Sequence, residues 1–139
     1  MAIIIDIKNA IRKVIYSQDN TINFFFNEIL KVQYPYVFFY IPSFKLEKSL
    51  DPEHWRKLSL MCVVEYAKNE SNSASDLWEY ADSLSEALSL FSFSDTRLTA
   101  RNMEFKIVDG VLQVTFDLEF YVKAVEEADL MQELNLQLK

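Results

Sequence analysis

The chain has 139 residues, half of them hydrophobic and 14% aromatic, with a formal net charge of −7. That size and composition predict one domain with a real core and exclude a disordered tail. The acid excess argues against a duplex-binding module, which needs clustered Lys and Arg to hold phosphates.

The opening "MAIIIDIKNAIRK" sets acid and base directly after a short apolar run. It lacks the long apolar region and cleavage site of a signal peptide, so secretion by that route is not expected. Ile7, Ile11, Val14 and Ile15 recur at helical spacing with Ile4 on the same side, predicting a first helix over Asp6 to Tyr16. Lys8, Arg12 and Lys13 give this helix a basic outer side.

After the polar "SQDN", the β-branched and aromatic run "TINFFFNEI" reads as a strand, and "YVFFYIPSF" from Tyr36 as a second. Pro42 donates no ladder bond, which places it at an edge or a bulge. The uncharged run Val32 to Phe44 is too short to span a bilayer and is interrupted by Gln33, Tyr34, Pro35 and Pro42. "EKSLDPEH" reads as a loop or flap, and its His54 as a plain loop histidine, since no neighbour stands at metal-ligand spacing.

From Arg56, "RKLSLMCVVEYA" puts Leu58, Leu60, Cys62, Val64 and Tyr66 on one face of a third strand. The only cysteine, Cys62, excludes an internal disulfide and agrees with a reducing compartment. In that apolar register it reads as a small buried hydrophobe rather than a nucleophile. "KNESNSASD" is a polar linker. Ser73 and Asp76 then stand at capping-box spacing, and Leu77, Ala81, Leu84, Leu88 and Phe91 trace the stripe of a second helix. Asp76, Glu79, Asp82 and Glu86 lie opposite that stripe, with no basic residue in the helix.

"NMEFKIVDGVLQVTFDLEFYVK" holds the only glycine of the chain. Apolar residues alternate on both sides of Asp109-Gly110, a preferred central pair for a type I′ hairpin turn. With Val108 opposite Val111, Ile107 faces Leu112, Phe105 faces Val114 and Met103 faces Phe116, so one face is apolar. Lys106, Glu104, Gln113, Thr115, Asp117 and Glu119 occupy the other. The tail "MQELNLQLK" alternates Leu134, Leu136 and Leu138 and reads as a short strand. The expected architecture is α+β, a mainly antiparallel sheet with two helices packed on one face. Residues 1–124 form the single domain and 125–139 a C-terminal extension.

No catalytic constellation emerges. One glycine rules out Gly-rich phosphate cradles, and one histidine leaves no His-based metal cluster, so no cofactor or metal is expected. Asp117 and Glu119 project from one strand face about 7 Å apart, but a glycosidase-like pair needs a cleft and nothing near them suggests one. The "FFF" and "YVFFY" aromatics lack the interleaved Arg or Lys of a base-stacking platform and read as sheet core and intersubunit surface.

The hairpin resembles the C-terminal hairpin of the phage tail terminator family of PBSX-like prophages in Gram-positive bacteria. In that family "M-x-[YF]-x-I-x-D-G-V-L" precedes an alternating "F-x-Y-x-F-x-V" strand. Met103, Phe105, Ile107, Asp109, Gly110, Val111 and Leu112 match in order. "DIKNAIRKVI", "FNEI", "LWEYADSLSEAL" and "ADLMQELNLQLK" extend the similarity over nearly the whole chain, while Gln113 departs from the residue the family often has after "GVL".

The resemblance implies a non-enzymatic virion protein, a ring, commonly hexameric, at the head-proximal end of a phage or phage-like tail. Such a ring halts tube growth and joins the neck or connector; in contractile tails it also holds the last sheath ring. Its partners would be further copies of itself, tube and sheath proteins and a neck protein, with DNA only in transit and no membrane. Localisation would be the virion tail after assembly in the host bacterial cytoplasm, whether the particle is a phage or bacteriocin-like. A ring needs complementary surfaces, for which Lys8, Arg12 and Lys13 against Asp76, Glu79, Asp82 and Glu86 are candidates, together with Leu134, Leu136 and Leu138. Glu104, Asp117 and Glu119, or the acidic helix, are candidates to border the DNA passage. A neck or head-tail completion protein of similar fold and a small-molecule-binding domain stay open as alternatives.

Overall fold

The computed structural model describes residues 3–29, 31–48, 55–93 and 96–123. Helix α1, Ile3–Gln18, buries Ile4, Ile7, Ala10, Ile11, Val14 and Ile15, the anticipated stripe. It begins earlier than expected, so that Asp6 falls in its first turn, where an acid suits the helix dipole. The Asp19 carboxylate closes the following turn by accepting from the Thr21 hydroxyl at 2.6 Å and the Thr21 N–H at 2.9 Å. Those two bonds hold its pKa below the ordinary carboxylate value.

Strand β1 is only Asn23–Phe26, because Asn27 turns into the left-handed region at φ 61°. It lies parallel to β2, Tyr36–Lys48, the one parallel pairing in the main sheet. Apolar periodicity carries no information on strand direction, so the sequence did not reveal it. Pro42 sits at a bulge, where the register of β2 against β3 shifts between Tyr40 and Ser43. Beyond it β2 runs on to Lys48, through residues expected to begin a loop. His54 lies outside the described residues.

Strand β3, Trp55–Ala67, buries Leu58, Leu60, Cys62, Val64 and Tyr66 in the predicted register. Helix α2, Ala74–Leu88, is capped by Ser73, whose hydroxyl accepts from the Asp76 N–H at 3.1 Å. Leu77, Ala81, Leu84 and Leu88 are buried as read. Phe91 is a correction. It is buried, but the helix has already ended, and Phe91–Phe93 forms β4, paired antiparallel with β5, Thr96–Leu98. A three-residue ribbon is shorter than any period can register.

Strands β6, Arg101–Val108, and β7, Val111–Lys123, form the hairpin. Asp109 at φ 52° and Gly110 at φ 75° give the two positive angles of the I′ turn. Val108 pairs with Val111, Ile107 with Leu112 and Phe105 with Val114, as expected. The Met103 to Phe116 pairing does not hold. Asn102, at φ 55°, inserts an extra residue, so the register slips and Arg101 stands opposite Asp117.

The main sheet has the order β1-β2-β3-β7-β6. Its inner face joins the buried stripes of α1 and α2 in one core cluster, so both helices pack on one face and the fold is α+β. Within the cluster Tyr66 and Tyr80 stack with ring centroids 3.7 Å apart. The buried Tyr80 hydroxyl has no hydrogen-bond partner among the described residues. An unpaired buried hydroxyl costs desolvation, so Tyr80→Phe should leave stability unchanged or raise it by about 1 kcal/mol. Chemical denaturation checks this, and a loss exceeding about 1 kcal/mol would reveal a partner for the hydroxyl.

Candidate assembly surfaces

The sheet turns its second face away from both helices. On β2 this face carries Phe38 and Tyr40, with ring centroids 4.9 Å apart, and on β3 the exposed Met61 beside Val63 and Glu65. Burial first, then the hydrogen bond given to Glu65, raise the Tyr40 phenol above its ordinary pKa. The charges are nearly balanced: Lys45, Lys57, Arg101 and Lys106 against Glu47, Glu65, Glu104, Asp117 and Glu119.

Several of these charges are held in place. Glu119 lies 3.6 Å from Lys57 and 3.7 Å from Arg101, and Asp117 accepts from the Asn102 side chain at 3.0 Å. Asp117 and Glu119 thus belong to a lattice of polar contacts across the sheet, and Glu104 is exposed on the edge strand. Sequence reasoning passed over Arg101 and Asn102. The available signal was the asparagine, a residue that tolerates left-handed backbone, at the position where the apolar alternation changes parity from Leu98 and Ala100 to Met103 and Phe105.

On α2 the arrangement is different. Asp76, Glu79, Asp82 and Glu86 are all exposed, and the helix has no Lys, Arg or His. Trp78 is exposed on the same helix and Leu90 just beyond it. On α1, Arg12 and Lys13 are exposed and, with Asn9, Tyr16 and Ser17, line a shallow open depression. Arg12 lies 5.1 Å from the Tyr16 ring centroid. Lys8 is half-buried, its ammonium 6.0 Å from the Phe26 ring centroid. The Gln18 amide donates to the Ser83 hydroxyl at 2.8 Å, tying the two helices together. Among the described residues no ion pair joins the α1 bases to the α2 acids.

Cys62 is fully buried, and burial pushes its thiol far up, with Asp117 acting in the same direction. Such a thiol is not poised as a nucleophile. Leu134, Leu136 and Leu138 lie outside the described residues, as does everything after Lys123. Among the described residues no three His, Cys, Asp or Glu side chains gather where they could hold a metal, and no helix is long and apolar enough to cross a membrane.

No curated protein matches the chain. The family model described as phage tail terminator protein matches residues 6–129, a span that takes in α1 from Asp6 onward, all of α2 and all the strands of the two sheets. With that match over most of its length, and with the α+β architecture and the Asp109-Gly110 hairpin on which the resemblance rested, the chain belongs to the phage tail terminator family.

Proposed function

We propose that this structural tail protein closes into a ring, a hexamer in the simplest case, at the head-proximal end of a contractile phage or phage-like tail. The ring stops tube growth, holds the last sheath ring and presents the surface that meets the neck. It assembles in the host bacterial cytoplasm. The family match over residues 6–129 carries this reading.

The distribution of charge supports it. A head-to-tail ring needs two different faces that fit each other, and the chain carries a basic patch on α1 and an acidic stripe on α2 that do not pair with each other among the described residues. Arg12 and Lys13, with Lys8 behind them, meet Asp76, Glu79, Asp82 and Glu86 of the next subunit. Exposed pairs contribute only about 0–1 kcal/mol each, so they set registration and encounter rate more than affinity. Glu104, Asp117 and Glu119 on the open sheet face are then left to border the DNA passage, where negative groups keep phosphate from sticking.

Neutralising Asp76, Glu79, Asp82 and Glu86 together should leave the subunit folded, slow ring formation several-fold and flatten its salt dependence, as followed by native mass spectrometry. Unchanged assembly by rings that now retain DNA would move α2 from the subunit contact to the passage wall. For the function itself, a purified ring added to polymerising tail tube should cap it and fix its length, and a ring that leaves tube growth unaffected would defeat the proposal.

A further inference from the structure

Among the described residues strand β6 has a neighbour on one side only, and its outer backbone groups face away from that sheet. Met103, Phe105 and Ile107 on this edge are half-buried and pack against the core, leaving an apolar lip along the inner side of the strand. The other side of β6 carries Glu104, Lys106 and the exposed Val108. No proline interrupts the strand. An open edge of this kind accepts an added strand, whose main-chain bonds give affinity and whose alternate side chains set register.

We propose that residues Glu133 to Lys139 of a second copy of this chain add antiparallel to β6. The inference rests on the ring reading only in requiring a second copy. Three leucines at every second position, Leu134, Leu136 and Leu138, match the spacing of Ile107, Phe105 and Met103. Setting Leu136 opposite Phe105 places all three over the lip. Charge selects the direction. Antiparallel addition puts Glu133 diagonal to Lys106 and Lys139 diagonal to Glu104, whereas parallel addition with the same leucine contacts puts Glu133 diagonal to Glu104 and Lys139 diagonal to Lys106.

Reach selects the donor. In the antiparallel register Glu133 stands beside Val108, at the turn end of the hairpin, while the described chain leaves β7 at Lys123, at the other end. The stretch of β7 from Val111 to Lys123 is about 40 Å long at the usual strand rise. The ten peptide units from Lys123 to Glu133 extend to about 33–36 Å at most, before any crossing of the sheet edge. The tail of a subunit therefore falls short of this position on its own β6, and the edge is filled by a neighbour.

Disulfide trapping tests this in the full-length chain with Cys62→Ala as background. Lys106→Cys on one chain and Asn135→Cys on another face each other in the antiparallel arrangement; Glu104→Cys and Asn135→Cys face each other in the parallel one. Oxidation of the mixed assemblies should give interchain dimers with the first pair at least about 10-fold more efficiently than with the second, by the discrimination expected of a fixed register. Both substitutions of the first pair in one chain should give a ladder on a non-reducing gel, and deletion of Gln132 to Lys139 should leave a folded monomer with impaired assembly. Preference for the second pair, or cross-linking within single chains, overturns the inference. Intact rings without cross-links overturn it while leaving the ring reading standing, and failure of the unsubstituted chain to form rings overturns both.

Discussion

Phe116→Ala should destabilise the protein by about 3–5 kcal/mol, the usual range for truncating a fully buried aromatic side chain. Phe116 is completely buried on β7, opposite Cys62 of β3, in the central part of the sheet that the helices cover. Close-packed neighbours collapse only partly into the space left, so the lost transfer energy and the cavity both count. Domains of this kind have about 5–15 kcal/mol to lose, so this one substitution removes a large share. Chemical denaturation checks it: the midpoint should fall with little change in slope, and Phe116→Leu should cost far less. A loss under about 1.5 kcal/mol would mean that the central sheet is not packed as described.

Gly110→Val should cost about 1–3 kcal/mol through backbone strain. A Cβ added at Gly110 meets nothing within 4 Å, so the loss is conformational rather than a clash. At φ 75° a β-branched side chain is strained by its own backbone, whereas asparagine tolerates the left-handed region. Gly110→Asn should therefore recover most of the stability. The turn is also anchored from outside, since the Asn72 side chain donates to the Gly110 carbonyl at 3.1 Å while its oxygen accepts from the Lys68 and Asn69 N–H groups. Displacing the turn would thus disturb the linker that leads into α2. Thermal stability of the valine variant equal to that of the parent would contradict the I′ geometry.

Where a physical rule acts over a whole element, the sequence was readable. The stripe of α1, that of α2 as far as Leu88, the alternation of β3 and the Ser73 cap each repeat or terminate a period, and the structure has them where expected. The Asp109-Gly110 turn was legible because only a few residues accept two successive positive angles. The misses are local or relational. The bulge at Asn102 shifts the apolar alternation from the parity of Leu98 and Ala100 to that of Met103, Phe105 and Ile107 and slips the register, which is why Met103 does not pair with Phe116. The β4–β5 ribbon is too short to show a period, and the parallel pairing of β1 with β2 depends on how the chain travels between them.

The assembly surfaces were legible only in part. Charges on α1 and α2 were assigned to outer faces, and their exposure on the structure agrees, apart from Lys8, which is half sunk against Phe26. The sheet carboxylates were read on a polar face with Lys106, Gln113 and Thr115, without the partners that other strands bring to them. Lys57, Arg101 and Asn102 reach Glu119 and Asp117 from adjacent strands, an arrangement that no single segment displays.

The most direct test of the central claim is the length distribution of tails, by negative-stain imaging, in particles whose gene for this chain has been deleted. The account predicts tails of uncontrolled length without joined heads, restored to uniform length when the chain is supplied in trans; tails of normal, uniform length that merely fail to join heads would contradict it and assign the chain to the neck instead.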